Sequence, residues 1–204
     1  MTTIVNYGLG NVRAIANIYH RLGIPARLAT TADELAGAER VILPGVGAFD
    51  WAMTRLNESG MRGTLNDLVL RDRRPVLGIC VGMQMMARGS DEGKLEGLGW
   101  INGQVKRFDE STFTSDTRLP HMGWNDVVPK HADGLFNGLE SPARFYFLHS
   151  YYFAPDMCDD VLASTEYGGP FASSVRRGNV WGVQFHPEKS HAWGIRLLQN
   201  FASL

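Results

Sequence analysis

Pro75-Val-Leu-Gly-Ile-Cys-Val-Gly-Met-Gln-Met-Met86 is the stretch on which the reading of this chain turns. The apolar run from Pro75 to Ile79 reads as a short buried strand. It breaks at Gly78-Ile-Cys80-Val-Gly82, and Met83 to Ala87 read as a helix. A cysteine between two glycines, where a buried strand turns sharply into a helix, has the form of a nucleophile elbow. The glycines permit a tight turn in which a Cβ would clash. Free N–H groups and the positive end of the following helix would favour a thiolate on Cys80. The competing reading is a buried structural cysteine, because free Cys is among the most buried residue types.

The neighbours of this stretch set the fold class. Thr2 to Asn6 reads as a first strand, followed by the Gly-rich turn Tyr7-Gly-Leu-Gly-Asn11. Val12, Ile15, Ala16, Tyr19 and Leu22 have helical spacing, with Gly23 as a stop. Ile24 to Ala29 is a second strand. Thr31-Ala-Asp-Glu34 has the form of a capping box before a short helix. Arg40 to Leu43 is a third strand, ending at Pro44-Gly-Val-Gly47, and helices are expected over 49–57 and 61–72. Alternating strands and helices imply an α/β fold with a mostly parallel open sheet flanked by helices.

From about Gly103 the texture changes. Gln104 to Phe108, Met122 to Val128, Arg144 to Tyr152, Val161 to Tyr167, Phe171 to Arg176 and Val180 to His186 are strand-like. Arg177-Gly-Asn179 reads as a hairpin turn, and this section is expected to be mixed or antiparallel. A last helix is expected over 191–202, with Ser190 as its N-cap. Open α/β sheets bind ligands beyond the C-terminal ends of their strands, which places Cys80 and the 44–47 turn at one crevice.

Composition bounds the function. The chain has 204 residues, 44% hydrophobic and 20% charged, which suits a single domain over 1–204. A net charge of −1 gives no reason to expect a nucleic-acid partner. Two cysteines make no disulfide framework and point to a reducing, cytoplasmic setting. No apolar run suggests a membrane span. The opening residues lack the basic start and apolar core of a signal peptide.

A cysteine nucleophile needs a base, and the base an orienting group. Of six histidines, His186 stands out, because it lies in Val-Gln-Phe-His-Pro-Glu between a strand and the last helix. In extended backbone His186 and Glu188 share a face, and Pro187 keeps His186 extended. A carboxylate beside an imidazole fixes its tautomer and stabilises its charged form. Gly45, Val46 and Gly47 follow a strand and could aim backbone N–H groups at a developing oxyanion, with Val81 as a further donor. Cys80 and Cys158 lack metal-site spacing, so neither a metal nor a cofactor is expected.

Gly78-Ile-Cys-Val-Gly-Met-Gln84 and His186-Pro-Glu188 resemble the class I, triad-type glutamine amidotransferases. The resemblance covers essentially the whole chain, with no departure at a triad position. The subgroup it is most similar to is the glutaminase subunits of imidazole glycerol phosphate synthase. Asn6-Tyr-Gly-Leu-Gly-Asn11, Pro44-Gly-Val-Gly-Ala-Phe49, Pro120-His-Met-Gly-Trp-Asn125 and His186-Pro-Glu-Lys-Ser190 carry that finer likeness. Relatives serving anthranilate, carbamoyl phosphate or GMP synthesis typically carry Pro-Gly-Pro-Gly where this chain has Val46.

The resemblance implies glutamine as substrate and Cys80, His186 and Glu188 as the triad. It implies that Gln84 reaches over the substrate and that His149, Ser150 and Tyr151 hold its α-amino and carboxylate groups. It further implies a heterodimer with a cyclase subunit, a (β/α)8 barrel that receives the ammonia, and activation by that partner's nucleotide ligand. Asn11, Met122, Trp124, Asn125 and Lys189 are the expected partner-facing residues. Two other readings stay open: a glutaminase subunit serving anthranilate, aminodeoxychorismate or pyridoxal phosphate synthesis, and a redox-responsive elbow cysteine.

Overall fold

The computed structural model of the chain describes residues 1–115, 117–131, 134–140 and 142–204. The first half alternates as its apolar periodicity requires: β1 (Thr2–Val5), α1 (Val12–Arg21), β2 (Ala26–Ala29), α2 (Ala32–Leu35), β3 (Arg40–Gly45), α3 (Phe49–Glu58), α4 (Arg62–Asn66), β4 (Val76–Cys80) and α5 (Val81–Gln84). The second half is β5 (Gly103–Arg107), β6 (His121–Pro129), β7 (Ala143–His149), β8 (Tyr151–Pro155), β9 (Val161–Glu166), β10 (Pro170–Arg177), β11 (Val180–Val183) and α6 (His191–Ala202).

Nine strands form one sheet in the order β2-β1-β3-β4-β11-β10-β9-β6-β7. The run from β2 to β11 pairs in parallel, and the run from β11 to β7 is antiparallel. β5 and β8 make a separate two-stranded pair. β1 and β4 are buried along their whole length. That is the burial expected when crossover helices cover both faces of a parallel sheet, and it explains the near-continuous apolar sequence of β4. The hairpin at 177–179 forms as expected, with Arg177 opposite Val180.

Several boundaries differ from the sequence expectation for local reasons. The second strand starts at Ala26, because the Ile24 N–H is used at the end of α1, bonding Tyr19 O at 3.0 Å, and Pro25 has no N–H. The helix expected over 61–72 is α4 followed by a π turn at Asp67–Arg71. The single strand expected over 144–152 is two strands broken at Ser150, because β8 leaves β6 to pair with β5. β11 ends at Val183, three residues before the expected His186. Beyond it the chain stays tied: Gln184 N–H bonds Ser173 O at 2.9 Å, and His186 N–H bonds Tyr146 O at 2.9 Å. α6 has its expected bounds, but Ser190 is not a side-chain cap. Its hydroxyl donates to His186 O at 2.6 Å and accepts from Tyr146 N–H at 3.0 Å, tying β7 to the residues around His186.

Candidate active site

β4 delivers Cys80 to the C-terminal edge of the sheet, beside Gly45 at the end of β3. Cys80 has φ 55 and ψ −116, a conformation that L-residues rarely adopt. Close backbone packing holds it there. A Cβ on Gly82 would lie 1.9 Å from Leu43 O, and one on Gly45 would lie 2.4 Å from Gly82 N. A Cβ on Gly78 would meet Gly82 O at 2.7 Å. The contact between β3 and the elbow is therefore backbone against backbone, and glycine alone fits at these positions. Gly82→Ala is expected to cost at least about 1–3 kcal/mol through overpacking, read as a fall in Tm. The helix after Cys80 is the single turn of α5, shorter and earlier than the expected 83–87. Its electrostatic help to the sulfur is that of a first turn's N–H groups rather than of a long dipole.

His186 and Glu188 lie side by side, as period two along extended backbone requires. His186 lines the same cavity as Cys80, and its Nδ1 lies 2.9 Å from Glu188 Oε1. Cys80 and His186 are both buried, and the Glu188 side chain is 2% exposed. Burial alone would lower the pKa of the imidazole. The hydrogen bonds from Cys80 and Glu188, and the charges behind them, outweigh it and push His186 up to about 10. Both neighbours thus favour the protonated form of the His186 ring. Among the described residues, Glu188 Oε2 has no hydrogen-bond partner.

A cavity of about 330 Å³ opens over the sulfur. Val46, Gly47 and Val81 line it on the elbow side, and His149, Ser150 and Tyr151 on the other. Gly45 is buried under the elbow and does not line the cavity. Gln84 lines it, but its amide group is committed: Nε2 donates to Tyr151 O at 2.9 Å and to Gln184 Oε1 at 3.0 Å. Both ring nitrogens of His149 are also engaged. Nδ1 is 2.8 Å from Tyr151 O, and Nε2 is 3.0 Å from His121 Nδ1. The nitrogens of His149 therefore support the wall rather than reach into the cavity.

Three residues with places at the site were missed in the sequence. Gln184 aims its Nε2 at Cys80 Sγ from 3.8 Å. Gln184, His186 and Glu188 alternate along extended backbone, so period two could have found it. Tyr7 donates its hydroxyl to Pro44 O at 2.7 Å, pinning the start of the 44–47 turn. Burial, with the charge of Cys80 adding to it, pushes that hydroxyl's pKa up and keeps it a donor. Glu92 brings a carboxylate to the cavity wall, and no spacing in its Gly/Asp-rich surroundings marks it. Its Oε2 accepts from Phe49 N–H at 2.8 Å, while Asp50 accepts from the Lys94 and Leu95 N–H groups at 2.8 and 3.0 Å. The segment beyond the elbow is thereby fastened to the first turn of α3.

The residues expected to face a partner divide. Met122 is 64% exposed and Trp124 38%, both on the outward face of β6. Trp124 stacks on His191, with ring centroids 5.3 Å apart. Asn125 departs from the expectation. Strand alternation turns it to the opposite face, where its Nδ2 donates to Glu166 O at 3.0 Å and lies 3.2 Å from His121 Nε2. Asn11 is exposed at the start of α1, and Lys189 is exposed at the cavity mouth, 5.6 Å from the Tyr146 ring centroid. Among the described residues, no helix is long and apolar enough to cross a membrane.

Comparison with known proteins agrees with this geometry. The family model for class-I glutamine amidotransferases matches residues 3–203. The chain is 59% identical to imidazole glycerol phosphate synthase subunit HisH of Bdellovibrio bacteriovorus, over 100% of both chains. It is 47% identical to the subunit HisH of Leptospira borgpetersenii and 43% identical to HisH 2 of Pseudomonas aeruginosa, again over 100% of both chains. A solved glutamine amidotransferase superposes with TM-score 0.76 at 21% identity, over 100% of this chain and 99% of that one. PurLQS from Thermotoga maritima superposes with TM-score 0.72 at 17% identity, covering 99% and 97%. A strained elbow cysteine against a carboxylate-held histidine, with family likeness along the full length, shows that the chain belongs to the class-I glutamine amidotransferase family.

Proposed function

We propose that the chain is the glutaminase subunit of an imidazole glycerol phosphate synthase, with Cys80, His186 and Glu188 as its triad. The observation that carries the chemistry is Cys80 in its strained elbow, sharing a cavity with an imidazole whose Nδ1 is held at 2.9 Å by a buried carboxylate. Cys80 thiolate attacks the side-chain amide carbon of glutamine. The Val81 N–H and one from Val46 or Gly47 stabilise the tetrahedral oxyanion. His186 gives its proton to the leaving nitrogen, ammonia departs, and a γ-glutamyl thioester remains. His186 then takes a proton from water, which attacks the thioester and releases glutamate and the thiol. Glu188 orients His186. Ser150, Tyr151 and the Glu92 carboxylate suit the carboxylate and ammonium ends of the substrate.

The pathway assignment rests on the full-length likeness to proteins named as synthase subunits. A subunit implies a partner, which we take to be a (β/α)8-barrel cyclase in a heterodimer. The exposed Met122 and Trp124 suit the core of such an interface, and Lys189 suits an ion pair at its edge. Ammonia then reaches the cyclase for synthesis of imidazole glycerol phosphate and AICAR. We read the chain as one domain, since β11 joins the second half to the same sheet as the first. We place it in a reducing cytosol, where free thiols such as Cys80 and Cys158 persist.

Glutamate release tests the reading: by the chain alone, with the cyclase, and with cyclase plus its nucleotide ligand. Low activity alone and a large rise with both additions is the expected result. A rise of about 100–1000-fold would match one oxyanion donor brought into place at the 45–47 backbone. Equal activity in all three would remove the pathway assignment while keeping the cysteine chemistry.

A further inference from the structure

A hydrogen-bond chain runs from β6 to the cavity wall, and the proposed chemistry so far leaves it without a role. Its direction is fixed by its inner end. Tyr151 O can only accept, so His149 Nδ1, 2.8 Å away, carries a proton. In a neutral ring Nε2 is then an acceptor, so His121 Nδ1, 3.0 Å away, is the donor. His121 Nε2 in turn accepts from Asn125 Nδ2 at 3.2 Å. The Asn125 amide is oriented independently, since its Oδ1 accepts from Asp126 N–H at 2.8 Å and its Nδ2 also donates to Glu166 O.

Each donor meets an acceptor only while both rings are neutral. A second proton on His149 would set N–H against N–H at 3.0 Å, and one on His121 would set its Nε2–H against the Asn125 amide N–H at 3.2 Å. Burial enforces neutrality, pushing His121 down to about 4 and, with the charge of His121 adding to burial, His149 down to about 3. His121 is also clamped flat, stacked on Phe147 at 4.5 Å and Tyr167 at 3.8 Å between centroids. Tyr151 O, where the chain ends, is also the acceptor for Gln84, whose other bond holds Gln184 beside Cys80.

We propose that His121, oriented by Asn125, is a positioning residue for glutamine hydrolysis: through His149 it fixes the Tyr151 carbonyl, and with it the Gln84–Gln184 pair that walls the cavity beside Cys80. This rests on the glutaminase reading above. Buried networks of this kind are effective when every member is satisfied and fail as a unit when one donor is lost.

The test uses the full chain in its synthase complex. His121→Phe keeps the ring between Phe147 and Tyr167 but removes the donor to His149. It is expected to lower kcat/KM for glutamine by about 10- to 100-fold, as for a misplaced substrate wall. Alkylation of Cys80 by iodoacetamide, which needs the thiolate but not the wall, should stay near the wild-type rate. His121→Asn, whose amide N–H can stand in for Nδ1–H, should recover most of the loss.

Full activity in His121→Phe, or equal loss in both variants, would overturn the proposal. Nitrogen-15 NMR of the wild type tests it without relying on a variant's folding. Both rings must appear as neutral Nδ1–H tautomers, and an Nε2–H tautomer at His149 overturns the relay. A wild-type complex that hydrolyses no glutamine would instead remove the glutaminase reading, and the proposal with it.

Discussion

Cys80→Ala is expected to abolish glutamine hydrolysis, lowering kcat by roughly 10⁴- to 10⁶-fold as for other nucleophile deletions. The structure says why the loss should be chemical rather than structural. Only a sulfur is removed from a side chain that is 4% exposed, and the glycines that shape the elbow remain. The strained φ is as demanding for alanine as for cysteine, so stability should shift little. Synthesis from added ammonia by the partner should therefore survive, because it bypasses the thiol. Glutamate release retained by Cys80→Ala would sink the nucleophile assignment. Cys158→Ser is the control: Cys158 is exposed and does not line the cavity, so full activity is expected.

His186→Ala should be as damaging, by roughly 10⁶-fold, because it removes the carboxylate-held base that lines the cavity with Cys80. Glu188→Gln should cost less, roughly 10⁴-fold, since the base survives with its orientation and tautomer disturbed. A larger loss for Glu188→Gln would exchange their roles. The pH dependence carries a sign. His186 is raised from an ordinary value near 6.5 to about 10, so the native state holds a proton that the unfolded chain has already lost across that window. The stabilisation is full below about pH 6.5 and is lost as pH rises through about 10. Glu188→Gln removes one of the anions that raise His186, so NMR titration should find its pKa below that of the wild type. An unchanged pKa would show that Glu188 does not hold the imidazolium.

Much of this was legible because it is local. The elbow needs a glycine on either side of a cysteine within five residues, and the His-Pro-Glu pair needs only extended backbone. Helical spacing stopped by Gly23 and the turn residues at 177–179 mark elements whose stops are set by neighbours in sequence. What escaped depends on distant pairing. The break at Ser150 exists because β8 finds β5, and β11 ends early because the chain beyond it is shared between Ser173 and Tyr146. Asn125 was grouped with Met122 and Trp124 by motif, although period two alone turns it the other way. His149 and Gln84 were placed in the right wall. Their polar atoms are spent on Tyr151 O, His121 and Gln184, which no spacing reveals.

The carboxylates of Glu92 and Asp50 have a mechanical consequence. Each reaches across to the other's segment, Glu92 to the Phe49 N–H and Asp50 to the Lys94 and Leu95 N–H groups. Gly93 lies so close to Asp50 that a Cβ there would sit 1.9 Å from its Oδ1. The rim of the cavity on this side is thus no hinged flap. It and the first turn of the third helix form one cooperative unit, which must fray together or not at all. Breathing at the mouth on this side is accordingly coupled to the helix that begins just after the 44–47 turn.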